Sequence, residues 1–330
     1  MVWLGCCLWL SACVAGDTGR LPLKIIANIP LDGHISRWDY ASLDPQRHLL
    51  FIAHLGDSAV TVFDTQHRSV IANIAGINHV HGTLVIPTLG RVIASATGSN
   101  DIVVIDENTL KIIHRISAGD YPDGMAYAPN VHKLYVSDEH GGTDTVVDLQ
   151  NNARIATIQI GGEVGNTQYD PVSGHIFVNA ETSRQLVEID PNNDTIVSHI
   201  PLPGAQGNHG LYIDPITHLA FIACEDNSKL LVLDLTNRHL LYTFDVGSAP
   251  DVLAYDPSKG WLYVAGESGN VSMFTVRGHL VTPLTTAWLG TNAHVVAVDP
   301  LTHLAYFPLI AWHGSPTLRI TAPAPLTPTP

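Results

Sequence analysis

Seven prolines divide this chain at nearly constant intervals. Pro45, Pro87, Pro129, Pro171, Pro215, Pro257 and Pro300 follow one another at 42, 42, 42, 44, 42 and 43 residues. Five of them follow an aspartate: Asp44, Asp170, Asp214, Asp256 and Asp299. Proline fixes φ, and the Asp carboxylate accepts from backbone N–H groups two residues on, so Asp-Pro opens a turn. A second marker keeps the same phase. Asp64, Asp106, Asp148, Asp190 and Asp234 each stand 19 residues after their proline, at the end of an apolar run. A period of this length, held through the chain, marks stacked repeats and overrides the two-domain expectation for 330 residues.

Each unit carries short apolar runs with turn residues between them. In the sixth they lie at 252–255, 261–265, 271–275 and 279–283. Four short strands with corner turns make one antiparallel blade. The expected fold is therefore all-β: a seven-bladed β-propeller of four-stranded antiparallel blades over residues 21–321. The last unit offers only three runs, 294–299, 303–308 and 317–321, while residues 23–29 form an orphan strand ahead of the first unit. If this N-terminal strand completes the last blade, the ring closes and its exposed sheet edges disappear.

Three segments carry a family resemblance. Lys133-Leu134-Tyr135-Val136-Ser137, His175-Ile176-Phe177-Val178-Asn179 and Trp261-Leu262-Tyr263-Val264-Ala265 resemble the Tyr-Val-Thr-Asn repeat of the YVTN/YncE-like propellers. The resemblance runs through nearly the whole chain beyond the N-terminal segment. It implies an exported bacterial protein but no single reaction, because propellers host many activities.

The N-terminal composition agrees with export. Residues 2–15 are apolar and then stop, so 1–15 reads as a signal segment, too short to span a membrane in the mature chain. The segment lacks a basic residue at its start. Leu10-Ser11-Ala12-Cys13 resembles a lipobox, which would attach a lipid to Cys13. The expected location is periplasmic or extracellular, with a lipid anchor as the variant. Three of the four cysteines lie in this segment, leaving Cys224 without a disulfide partner. The Pro-rich residues 322–330 read as a disordered tail. With 30 acidic against 16 basic residues and no Lys/Arg run, a nucleic-acid partner is disfavoured. A monomer is expected.

Repeat alignment sorts the 18 histidines. His48, His132, His218 and His303 share a place, three residues after the proline, with Gly90, Gly174 and Gly260, which points to a turn of positive φ. His67, His239 and His279 fall in outer hairpin turns and read as solvated. Six residues before each proline stand Asp39, His81, Asp123, Gly165, His209, Asp251 and His294. This place begins the innermost strand, so these side chains are candidates to face the channel, with Asn166 following Gly165. Ten residues after four successive prolines stand Glu139, Glu181, Glu225 and Glu267, in loops that open on the same face. His54, Asp138, Arg37, Trp38, Tyr121, Asn78, Asn208 and Asn292 lie nearby in register.

Two arrangements fit this pattern. One is a set of polar residues that solvate the channel or tie neighbouring blades. The other is a ligand site, or a site for a divalent metal ion on His81, His209 and His294 with acids alongside, since imidazole with carboxylate suits zinc, copper, iron or manganese. The favoured function is a module that binds a small molecule, metal or protein at an acidic, His-rich face. The alternative is a metal-dependent hydrolase of the sugar-lactonase type, with its ion on those histidines or among Glu181, Asn166, Asn208 and Asp251. A third reading, electron transfer, finds no encoded cofactor: Cys-x-x-Cys-His is absent, as are Gly-x-Ser-x-Gly and a phosphate-cradling glycine loop. Cys224 stands beside Glu225 and Asp226, whose charges oppose a thiolate.

Overall fold

The computed structural model describes residues 20–325, which form seven four-stranded antiparallel sheets, each in simple up-and-down order. Blade one runs Ala41–Asp44, Leu49–His54, Ala59–Asp64 and Ser69–Ala75 from axis to rim, and the next five blades repeat it. Blade seven is ordered, from rim to axis, Leu23–Pro30, Ser315–Pro323, Ala305–Trp312 and Ala297–Val298. The N-terminal strand is thus its outermost member, paired from Leu23↔Pro323 to Pro30↔Thr317. The ring closes as the orphan strand implied. Among the described residues no helix is long and apolar enough to cross a membrane. The expected signal segment, 1–15, lies outside the described residues, as do 326–330 of the expected disordered tail, whose first two residues, 322 and 323, are instead part of the last strand.

Two strand bounds differ from expectation, each for a local reason. The last strand continues to Pro323, past 321, because Lys24 and Ile25 still pair with Ala322 and Thr321 and the Ala324 N–H donates to Pro22 O at 2.8 Å. The inner strand of blade seven is paired only at Ala297–Val298 rather than over 294–299. Pro308 stands opposite the missing part. In blade one the residue at that place, Ala53, donates its N–H to Tyr40 O at 3.0 Å, and proline has no N–H to give.

The periodic markers act as their chemistry requires. Asp44 accepts from the Gln46 and Arg47 N–H groups at 2.8 and 3.2 Å, and Asp64 from His67 N–H at 2.8 Å. His48, His132, His218 and His303 have φ of 57, 56, 56 and 62°, matching Gly90, Gly174 and Gly260 at 59, 75 and 61°. Two of these histidines do more than turn the chain. His218 Nε2 lies 2.9 Å from Asp170 Oδ2, and His303 Nδ1 lies 2.8 Å from Asp256 Oδ2, so each ties its blade to the Asp-Pro turn of the preceding one.

The apolar core is divided into seven clusters, one between each pair of neighbouring blades, as in stacked repeats. Phe51, Val62, Val80 and Val92 fill the space between blades one and two; Trp38, Leu50, Tyr306 and Ile320 fill that between seven and one. At the axis the inner strands crowd together, and in blades two to six each carries a β-bulge. Pairing skips from Val80 to Thr83, Pro122 to Met125, Val164 to Thr167, Asn208 to Leu211 and Pro250 to Leu253. The two skipped residues are the aligned Asp, His or Gly and its successor. A bulge bends the strand and re-aims its side chains.

At Gly210, the second bulge residue of blade five, an added Cβ would stand 1.9 Å from Asp251 O of the next blade. Backbone cannot yield as a side-chain tip can, so Gly210→Ala is expected to destabilise by about 1–3 kcal/mol through overpacking. Urea denaturation against the wild-type chain measures it, and an unchanged midpoint would contradict this account of the inner-strand contact.

Candidate functional site

In blades two to six the bulge places the first of its two residues at one mouth of the channel, and Asp39 and His294 hold the same place in blades one and seven. There Asp39, Asp123, Asp251 and His294 are buried, and His81 and His209 nearly so. The loops after the second strands rise beside them. The N–H groups of Glu139, Glu181, Glu225 and Glu267 donate to Tyr121, Glu163, Gly207 and Ala249 carbonyls at 2.8–3.0 Å, which pins each Glu against the segment leading into its inner strand. Both acidic sets therefore share one face.

Tyr40 organises the centre of this mouth, and sequence reasoning missed it. Its hydroxyl reaches across the axis from blade one. It accepts from Asn166 Nδ2 at 2.7 Å, donates to Asp251 Oδ1 at 3.2 Å and lies 3.1 Å from His209 Nε2. It thus joins blades four, five and six to blade one. Beyond it along the inner strands lies a cavity of ≈ 170 Å³, lined by Tyr40, Gly82, Gly124, Gln168 and Leu211 among others. The available signal was positional: the residue after the aligned Asp or His is Tyr only in blade one, and Gly, Asn or Val elsewhere.

His209 is the buried cation of the site. Its Nδ1 lies 2.8 Å from Glu181 Oε1 and its Nε2 3.2 Å from Asp123 Oδ2. Burial disfavours the imidazolium, but Asp123 and Glu181 outweigh it and raise the pKa well above the usual histidine value. Burial likewise opposes ionisation of Asp123, and the bond to His209 reverses the balance and lowers its pKa. Asp251 goes the other way: burial, then Glu225 and Asp39, push its carboxyl well up. Glu225 is raised for similar reasons, burial first and then Glu181 and Glu267.

Arg37 is the second cation. Its Nε donates to Asp39 Oδ2 at 2.9 Å, a terminal nitrogen pairs with Glu267, and the other lies 3.8 Å from Asp251 Oδ2. Burial disfavours its charge, and Asp39, Glu267 and Asp251 more than restore it.

The three histidines expected to share one ion do not converge as a set. Among the described residues, the groups whose ligand atoms come within 4.8 Å of one another are Asp39, Asp251 and His294, and separately His209, Glu225 and Asp251. His81 stands apart: its Nε2 lies 3.1 Å from the Tyr121 hydroxyl and 4.0 Å from Asp39. The spread follows from their blades, two, five and seven, which face the axis from different directions. The residues of the lactonase-type set also have partners within the protein. Asn208 is fully buried and bonds back to Gln185 O at 3.3 Å, Glu181 is taken by His209, and Asn166 by Tyr40.

Other neighbours in register have structural places. Trp38 is only 1% exposed and stacks on His54 at 3.7 Å in the core between blades seven and one, so it does not line the mouth. Asp138 is buried and accepts from Thr143 and Thr145 at 2.7 and 2.8 Å. Asn292 Nδ2 donates to Glu267 O at 3.3 Å. Tyr121 packs against His140 at 4.1 Å and His81 at 5.0 Å, forming an aromatic side to the mouth.

No family model matches the chain, and no curated protein matches it. Solved structures do. A chain of the hydrazine synthase of Kuenenia stuttgartiensis is 15% identical with a TM-score of 0.73, over 84% of this chain and 94% of that one. A chain from the crystal structure of the mitotic checkpoint complex is 11% identical with a TM-score of 0.76, over 98% and 97%. At such identities the likeness is one of fold, the β-propeller.

Glu139 offers a pH test of this environment. Burial, then repulsion from Asp123, with Glu181 and Glu225 adding, raises its pKa to about 7, against about 4.3 for an unfolded glutamate. Between those values the folded chain holds the extra proton, so this group's contribution to stability falls as pH rises through the window. Glu139→Gln should therefore stabilise the protein more at about pH 8 than at about pH 5.5. Paired urea melts measure the difference, and a pH-independent difference would contradict the shift.

Proposed function

We propose that this chain is an exported, YVTN/YncE-like propeller that acts as a binding module, taking small cationic ligands at the acidic mouth of its channel. The observation that carries this reading is the convergence of seven carboxyl groups (Asp39, Asp123, Asp251, Glu139, Glu181, Glu225 and Glu267) above the Tyr40 hydroxyl, with Arg37 and His209 as their ion-pair partners. With seven carboxyl groups against two cations the mouth carries an acidic excess, which draws in counter-ions. Burial and mutual repulsion leave Asp251, Glu225 and Glu139 with raised pKa values. A cation entering the mouth relieves that repulsion and favours release of those protons.

The family and location belong to the same proposal. The Tyr-Val-like segments around Tyr135, Phe177 and Tyr263 support the family, and the apolar residues 2–15 with Cys13 support export, either free or lipid-anchored. Mass analysis of the mature N-terminus from bacterial expression decides this part. Cleavage ahead of Cys13 with an added diacylglycerol gives the anchored form, cleavage without it gives the free form, and an uncleaved cytosolic chain refutes export.

Titration with short alkyl diamines and quaternary ammonium ions, alongside neutral polyols and dicarboxylates, tests the ligand class. Diamines should raise the melting temperature and release protons, seen as a dependence of calorimetric heat on buffer ionisation enthalpy. The Glu225→Gln/Glu267→Gln double variant should weaken them about tenfold, equivalent to about 1.4 kcal/mol. Equal stabilisation by polyols, or none by any cation, would overturn the reading.

A further inference from the structure

We infer that a divalent first-row transition ion binds beside the channel axis between Asp39, Asp251 and His294. His294 is completely buried, and its Nε2 has no hydrogen-bond partner. Its Nδ1 lies 3.2 Å from Asn292 O. A carbonyl only accepts, so Nδ1 carries the hydrogen and Nε2 presents a bare lone pair. Metal-ligating histidines are held in this way, with the far nitrogen donating to a carbonyl or carboxylate. That lone pair meets two buried carboxylates, with Asp251 Oδ2 at 3.8 Å and all three ligand atoms within 4.8 Å of one another.

The spacing suits one ion. Ligands at ~2.0–2.2 Å from a metal stand at most ~4.4 Å apart, so the 3.8 Å pair already fits and the widest separation allowed by the 4.8 Å bound closes by a few tenths of an ångström. One imidazole with two carboxylates selects zinc, iron or manganese over calcium and magnesium, which prefer all-oxygen shells. The second group, His209, Glu225 and Asp251, lacks a free lone pair, because both His209 nitrogens already face carboxylates, Glu181 and Asp123. His81 stands outside the site, with Tyr121 at its Nε2.

Arg37 is the built-in competitor. It holds Asp39 at 2.9 Å and approaches Asp251 at 3.8 Å, the same two carboxylates, from a side chain that is 37% exposed. An incoming ion must displace it, and it can swing toward solvent while keeping Glu267. The ion thus becomes the innermost cation of the acidic mouth, and the inference rests on the reading of that mouth as a cation site.

The test uses the full chain without a polyhistidine tag, stripped with chelator and titrated with Zn²⁺ by calorimetry and with Co²⁺ by visible absorption. One tight ion per chain is expected, with Co²⁺ ligand-field bands. His294→Ala should abolish those bands and weaken Zn²⁺ at least tenfold, while His67→Gln, in an exposed outer hairpin turn, keeps both. Arg37→Met should tighten Zn²⁺ about tenfold, which decides the matter even if His294→Ala does not fold. Zn²⁺ binding no tighter than to the scattered surface histidines, or unchanged in both His294→Ala and Arg37→Met, overturns the ion. Diamine binding that persists in that case leaves the acidic mouth standing and removes only the metal. Metal binding without any diamine response removes the organic-cation reading instead.

Discussion

Seven inner strands must meet round one axis without colliding, and the rest of the molecule follows from how they manage it. Gly82, Gly124 and Gly210 hold the places where a side chain would strike the next blade. The bulge beside them lets the inner strand bend away from its partner while the blade keeps its register further out. Its first residue is thereby freed from the ordinary alternation of the sheet and turned to the mouth. In blades two to six the ring is a by-product of solving the crowding problem, because the bulge that relieves the contact also turns its first residue inward; Asp39 and His294 join that ring from the unbulged blades one and seven. Closure by Leu23–Pro30 then fixes the seven blades relative to one another, so the ring side chains keep constant separations.

Holding many acids near one axis is electrostatically expensive, and the structure answers with two different devices. Asp123 and Glu181 are balanced by His209, and Asp39 and Glu267 by Arg37. Asp251 lies between the two groups and is fully matched by neither; burial first, then Glu225 and Asp39, push its pKa well up. Tyr40 completes the arrangement with a neutral donor and acceptor where another charge would be unaffordable. Its single hydroxyl satisfies groups from three other blades and acts as a strut across the channel.

Much of this was legible in the sequence because turn chemistry is local. Asp-Pro and the later Asp bond within a few residues of themselves, so their period survives in one dimension and reports blade number, register and the turn histidines. Alignment of the repeats also singled out the ring residues and placed the Glu set on their face. What it could not give was convergence. Whether His81, His209 and His294 meet depends on blade angle and side-chain reach, and they do not. Trp38 illustrates the same limit: its place in register is beside the mouth, yet its ring turns into the core to stack on His54. The ties from His218 to Asp170 and from His303 to Asp256 were hidden because each joins different units of the repeat.

The one break in the Asp/His alternation shows how a seven-fold scaffold becomes a one-sided site. Gly165 occupies the ring position of blade four. A Cβ there would lie 2.6 Å from His209 Cα and 2.9 Å from Glu181 Oε1. A side chain at that place would push apart the pair that keeps His209 charged. With it absent, Glu181 reaches His209, and Asn166 takes hold of Tyr40 instead of a ring acid. The mouth is therefore divided: His209 with Asp123 and Glu181 forms a saturated group, while His294, Asp39 and Asp251 face one another, with Arg37 close to both carboxylates and His209 Nε2 4.0 Å from Asp251. The saturated half is held rigidly by charge pairing, and the open half keeps an unused lone pair. That asymmetry begins with a single glycine, which lets Glu181 reach His209 and leaves the lone pair of His294 as the free end of the proposed ion site.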